Sequence, residues 1–218
     1  MQMTILNNLR TEGFDYVKAL ADIIEQKHLA QLSGNESEAN RLWAEQTVVE
    51  IHQQFIKMYT LLTDGEYYDA WCLAAQIEVD IRFLSINSQK MYDYVKDLGE
   101  TIRQLQILFP YRVFASYVMD IKQERCSICG KVRSIRGFCG HREGRVYNGE
   151  LCCNVVEKAD FKGVDIVLNP VNKFSVLFPS SSNGMLDEYD YSNVINLMLC
   201  WKSPFQHWEI KVPNTNPE

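Results

Sequence analysis

Apolar residues recur every three or four positions through most of the first half of the chain, and that spacing predicts helices. Phe14, Val17, Leu20, Ile24 and Leu32 form an amphipathic stripe over 14–32, which stops at Ser33-Gly34-Asn35. Asn35 with Glu38 resembles a capping box, and Val48, Ile51, Phe55, Met58 and Leu62 then follow one face of a second helix. Asp64-Gly65 separates it from a third, striped by Tyr67, Trp71, Ala74, Ile77, Ile81 and Leu84. A fourth starts near Ser88, turns Met91, Val95, Leu98, Ile102 and Leu105 inward, and is ended by Pro110. Phe114, Tyr117, Val118 and Ile121 favour a fifth helix over 111–123. Short connections between long helices make antiparallel neighbours, so a helical bundle is expected over 1–121.

Further on the period shortens. VDIVLNPVNKFSVLFP holds two β-rich runs around Asn169-Pro170, which suggests a hairpin or two nearby strands. SSSNGM reads as a loop, 189–201 as a helix, HWEIKV as a last strand and PNTNPE as a loose tail. Trp201, Phe205 and Trp208 are candidates for the core of this second unit.

Composition narrows the class. The hydrophobic fraction of 46% and the charged fraction of 23% are those of a globular protein. The start of the chain lacks a basic stretch followed by an apolar one, and no apolar run is long enough to cross a bilayer, so a cytoplasmic protein without a membrane partner is expected. Seven cysteines, five of them bunched within 126–153, are not laid out as a secreted disulfide framework. The net charge of −6 is uneven, because residues 122–147 carry seven basic and two acidic side chains between acidic flanks.

The bunched cysteines carry the clearest chemistry. Cys126-x2-Cys129-Gly130 lets a tight turn present two sulfurs to one ion, which is half a tetrahedral site. His141 and Cys152 are the first choices for the other half, with Cys139 a close rival for either place. Cys153 follows Cys152 directly, so it is expected to pack rather than to ligate. Thiolate with imidazole points to zinc. Five glycines between 130 and 149 leave this segment little core of its own, so a structural Zn2+ would be most of what folds it. The expected fold class is therefore α+β: the antiparallel helical bundle over 1–121, then a small zinc-stapled α+β module over 122–218.

The run C-x2-C followed by C-x-H-x2-G-x2-Y-x-G-x2-C (Cys139, His141, Gly144, Tyr147, Gly149, Cys152), with Val155-Val156 and the VDIVLNP run, resembles zinc-binding segments of proteins encoded by bacterial phages and other mobile elements. The resemblance covers about residues 126–178, with Gly140 where proline is common in such segments. It implies a metal and a prokaryotic or phage setting, including anti-phage defence, and no particular reaction.

Three functions follow from these residues. The first is a non-catalytic interaction or adaptor subunit whose bundle holds a protein partner. The second is a nucleic-acid-binding zinc protein using the basic island, in particular Lys131, Arg133, Arg136, Arg142 and Arg145. The third is a metal-dependent enzyme with Glu143 of His141-Arg142-Glu143 as acid and base, a pattern that here lacks the helix opening and later cysteine pair of the zinc deaminases. Asp69, Glu78 and Asp80 on the third helix are expected on a solvated face, and no nucleotide-binding or hydrolase motif occurs.

Overall fold

The computed structural model describes residues 6–11, 13–134, 137, 139–178 and 189–201. Helices α1 (Tyr16–Leu32), α2 (Glu36–Asp64), α3 (Tyr67–Asn87), α4 (Gln89–Tyr92) and α5 (Lys96–Leu108) come first. Strands β1 (Phe114–Cys126), β2 (Val132–Arg133), β3 (Val146–Tyr147), β4 (Glu150–Leu151) and β5 (Asn154–Val167) follow, and α6 (Ser192–Cys200) is last. The class is α+β, with the N-terminal helices packed on one another. Among the described residues no helix is long and apolar enough to cross a membrane.

α2 is the central helix. Asn35 caps it by accepting a hydrogen bond from the Glu38 N–H, as the sequence predicts, and Val48, Ile51, Phe55, Met58 and Leu62 are fully buried. The α3 stripe is buried from Trp71 to Leu84, while Tyr67 is partly buried. The expected fourth helix is interrupted: Ser88 caps the single turn of α4, and α5 resumes at Lys96 with Leu98, Ile102 and Leu105 inward.

α1 departs from the sequence reading in its orientation. Its contact with the core is made by Ala19, Ile23 and Ala30, two of them small enough to let the helix approach closely. Val17 and Leu32, at 73% and 71% exposure, and Ile24 face outward, whereas Phe14 and Leu20 are partly buried against the core. Three of the five apolar side chains of the stripe, Val17, Ile24 and Leu32, are thus left in water.

The second departure is β1, which takes the place of the expected fifth helix. Phe114, Tyr117, Val118 and Ile121 fit a helical spacing, but Tyr117, Met119 and Ile121 also alternate, and an antiparallel partner, β5, decides the conformation. β1 also pairs with β2, giving the order β2-β1-β5, and β3 with β4 forms a separate hairpin. The VDIV run is the end of β5, and the following apolar run does not pair with it. Val167 and Val176 pair with opposite edges of Phe114.

β1 and β5 form a ribbon about 40 Å long at roughly 3.3 Å per residue. At one end Phe114 lies in the core, its ring stacked 6.1 Å from that of Trp71 in the first turns of α3. At the other end Cys126 pairs with Asn154 beside the cysteine cluster. Cross-strand partners share a face, so Ala115, Tyr117, Met119 and Ile121 stand with Ile166, Val164, Phe161 and Ala159. All eight are apolar. The reverse face carries Ser116, Val118 and Asp120 with Asp160, Gly163 and Asp165, and Lys122 bridges Asp120 and Asp160.

α6 matches the helix expected over 189–201, and Val194 and Met198 are buried with the helical core. Trp201 packs on Phe55 and Tyr59 of α2, at ring distances of 6.0 and 5.0 Å. Phe205, Trp208, SSSNGM, HWEIKV and PNTNPE lie outside the described residues.

Candidate metal centre

The first half of the centre is built by a turn. The Gly130 N–H donates to Cys126 O at 2.9 Å and the Cys126 N–H to Lys131 O at 3.0 Å, with Gly130 at φ 69°, a left-handed conformation that a Cβ would disfavour. Cys126 is buried at the end of β1, and Cys129 is exposed across the turn. Although burial opposes ionisation, N–H groups of Cys129 and Ile128 donate to the Cys126 sulfur and bring its thiol down to about 5.

The second half comes from Cys139 and His141. The ligand atoms of Cys126, Cys129, Cys139 and His141 all lie within 4.8 Å of one another, close enough to hold a metal ion. Cys126 Sγ is 3.7 Å from His141 Nδ1. A tetrahedron with arms of about 2.3 Å has edges of about 3.8 Å, so this spacing suits a four-coordinate ion. The His141 ring is held by the edge of Tyr147, with centroids 4.7 Å apart, and the Tyr147 hydroxyl accepts the Arg142 N–H at 2.9 Å.

Of the two cysteines competing in the sequence to complete the site, the geometry draws Cys139 into the mutually close quartet. Cys152 is fully buried beside it, 3.8 Å from the Cys126 sulfur, and its thiol is pushed up to about 11 by burial and then by Cys126. Its sulfur accepts a hydrogen bond from Arg133 Nη2 at 3.2 Å. Cys153, between β4 and β5, is exposed, contrary to the expected packing, with its sulfur 3.7 Å from Leu151 O.

The basic island is divided by the fold. Arg133 turns inward to Cys152 Sγ and His141 O, and Arg145 Nη1 donates to Ile86 O near the C-terminal end of α3 at 2.6 Å. Lys131 and Arg142 are exposed, and Arg136 lies outside the described residues. Lys122 pairs with Asp120 and Asp160, and Arg125 with Glu157. Glu143 accepts from Asn154 Nδ2 at 2.9 Å. On α3, Glu78 pairs with Lys173, and burial pushes Asp80 up to about 6, so these two are not a freely solvated face.

Side chains that the sequence reading passed over dock the centre on the helices. Asn87 Oδ1 accepts Val146 N–H at 3.0 Å and its Nδ2 donates to Gly144 O at 2.8 Å. Asn40 Oδ1 accepts Gly149 N–H at 2.7 Å, and Gln31 Nε2 donates to Asn148 O at 2.9 Å. A signal for this hairpin was present: Asn148-Gly149 between β3 and β4 is the preferred pair for a type I′ turn, and both residues have positive φ. A Cβ on Gly149 would lie 3.1 Å from Ala39 O. Gly149→Ala is therefore expected to lose about 1–3 kcal/mol of stability in chemical denaturation. Gly163→Ala on the open ribbon, where a Cβ meets nothing within 4 Å, should differ from the parent by less than about 1 kcal/mol. Equal stability of the two variants would contradict this docking.

No protein-family model, curated protein or solved structure matches this chain.

Proposed function

We propose that the chain is a non-catalytic interaction protein in which a structural zinc ion fixes the far end of a β-ribbon that engages a protein partner. The observation that carries this reading is the ribbon's apolar face, where Tyr117, Met119, Ile121, Phe161, Val164 and Ile166 are all about half exposed or more. Such a face is costly in water, and six side chains on one surface exceed the scattered exposure of an ordinary monomer. The outward stripe of α1, with Val17, Ile24 and Leu32, gives the bundle a second surface for an adaptor.

Zinc is supported by the donor set, three thiols and one imidazole with the spacing of a closed tetrahedron. A filled first shell leaves no place for substrate or water, which favours a structural role over catalysis with Glu143. Three thiolates and a neutral imidazole around a divalent ion leave one negative charge in excess, and the Arg133 guanidinium stands where it offsets that charge. The setting, a bacterial or phage-related complex, rests on the resemblance of the cysteine segment alone.

The test uses two double variants purified from the cells that make the protein, Met119→Lys/Phe161→Lys on the ribbon and Val17→Lys/Leu32→Lys on α1. All four positions are exposed, so metal content and melting temperature should stay at parental values. The ribbon variant should lose a stoichiometric partner held by the parent. Retention of the same partner by both variants would overturn the reading.

A further inference from the structure

The apolar face of the β1–β5 ribbon has an internal two-fold order. Its four cross-strand rows are Ala115–Ile166, Tyr117–Val164, Met119–Phe161 and Ile121–Ala159. Exchanging the strands and reversing the rows returns nearly the same pattern, because an alanine stands opposite an isoleucine in both outer rows and a ring opposite Val164 or Met119 in both inner ones. The Tyr117 and Phe161 rings lie on the diagonal of the inner rows, with centroids 6.4 Å apart.

This order makes the face complementary to itself. Consider a second copy turned face to face by a two-fold axis lying in the contact plane. Whether that axis runs along the strands or across them, it brings every alanine opposite an isoleucine of the other copy and every ring opposite Val164 or Met119. Small then meets large at each position, the condition under which the inner faces of two packed sheets interdigitate without voids.

Charge agrees with such a contact. The eight side chains are apolar, whereas Asp120, Asp160 and Asp165 belong to the reverse face. Lys162 is the unpaired residue of a bulge between Phe161 and Gly163, and its ammonium lies 4.0 Å from Asp120, on the side where Lys122 also pairs. The apolar face therefore offers no charge for a partner of opposite sign to recognise, and two copies meet on it without like charges opposed. Area agrees as well. At their observed exposures Tyr117, Met119, Ile121, Phe161, Val164 and Ile166 present about 700 Å² of mostly apolar surface, close to the roughly 800 Å² per partner that a standard specific interface buries.

We infer that the partner of the ribbon is a second copy of this chain, joined through the two apolar faces as a two-fold dimer. This inference rests on the reading of the ribbon as an interaction surface and names its occupant.

The test is sedimentation equilibrium of the purified, metal-loaded full chain with no other protein present, over about 1–100 μM. The mass should rise to twice 25.3 kDa and stop there, since a two-fold contact closes on itself. Met119→Lys/Phe161→Lys should remain at 25.3 kDa throughout, with its metal content unchanged. Ala159→Arg, at an exposed position, should weaken dimerisation at least about tenfold by setting a charge against isoleucine, which keeps the test valid should the double variant fold poorly. Asp165→Asn on the reverse face should dimerise as the parent does. The inference is overturned if the parent is monomeric, if its mass grows past two copies, or if Met119→Lys/Phe161→Lys still dimerises. A monomeric parent whose ribbon holds a different cellular protein overturns the second copy and leaves the proposed function standing, whereas a ribbon that holds neither overturns both.

Discussion

Removing the metal is expected to unfold residues 126–153 while the helices stay folded. Among the described residues of that segment Cys126, Gly144, Gly149 and Cys152 are the buried ones, and β2, β3 and β4 are two residues each, so little apolar surface holds it together. Structural zinc sites contribute on the order of 10–16 kcal/mol, more than a segment of this size gains from packing. The helices have their own core from Leu9 to Leu105, centred on α2 and α3. Chelation should therefore leave the far-UV helical signal nearly unchanged and abolish hydrogen-exchange protection in β2, β3 and β4 and in the adjoining ends of β1 and β5. Cys126→Ser should reproduce this without chelator, and Cys153→Ser, whose sulfur is outside the quartet, should retain about one zinc per chain by elemental analysis. A metal-free sample with full protection through 126–153 would refute the structural role.

The second large effect is a dependence on pH set by two groups inside the helical bundle. His52 is buried, one ring nitrogen bonded to Val48 O at 2.8 Å and Nε2 facing Arg10 Nε at 3.5 Å, with Asp97 paired to the same arginine. Burial carries its pKa from 6.5 down to about 4, against a smaller opposing effect of the Val48 carbonyl. The unfolded chain then binds the proton more readily than the folded one between these values. Stability is intact above pH 6.5 and falls by about 3 kcal/mol as the pH drops towards 4.

Asp80 works in the opposite sense. Burial raises it from 3.8 to about 6, so the folded state carries an ionisation penalty above pH 6 that is relieved as the pH falls towards 3.8. Its partial exposure reduces this to about 1–2 kcal/mol. In the parent the two terms oppose each other. His52→Gln should lose less stability than the parent on acidification from about pH 6.5 to 4, and Asp80→Asn should lose more, both read by denaturant titration across that range. Comparing slopes cancels contributions common to all three proteins, the metal ligands included. A parental slope in both variants would refute the assignment.

The helices were legible because their stripes are local, and the caps at Asn35 and Ser88 stand within the windows that define them. Direction was not legible in α1, where small Ala19 and Ala30 make the contact together with Ile23 while Val17 and Leu32 face water, so a scale of hydrophobicity ranks part of the wrong face first. β1 was misread because Phe114, Tyr117, Val118 and Ile121 fit a helical spacing as well as Tyr117, Met119 and Ile121 fit alternation, and the partner that decides between them lies about forty residues further on. Cys126, Cys129 and His141 were legible from spacing. The choice between Cys139 and Cys152 depends on how the hairpin docks through Asn40 and Asn87, whose side chains give no sign of that role in sequence.

The ribbon is held at both ends, by Phe114 in the core and by the metal segment seated on Asn40 and Asn87. A two-stranded ribbon of this kind has little stiffness of its own. Clamped at one end it is a cantilever, and its tip sweeps freely. Clamped at both it is a bridge span, whose middle barely deflects. Filling the metal centre would therefore change the mechanics of Met119 and Phe161 at midspan without altering any contact they make, and an ion at one abutment would govern how firmly the span meets its load.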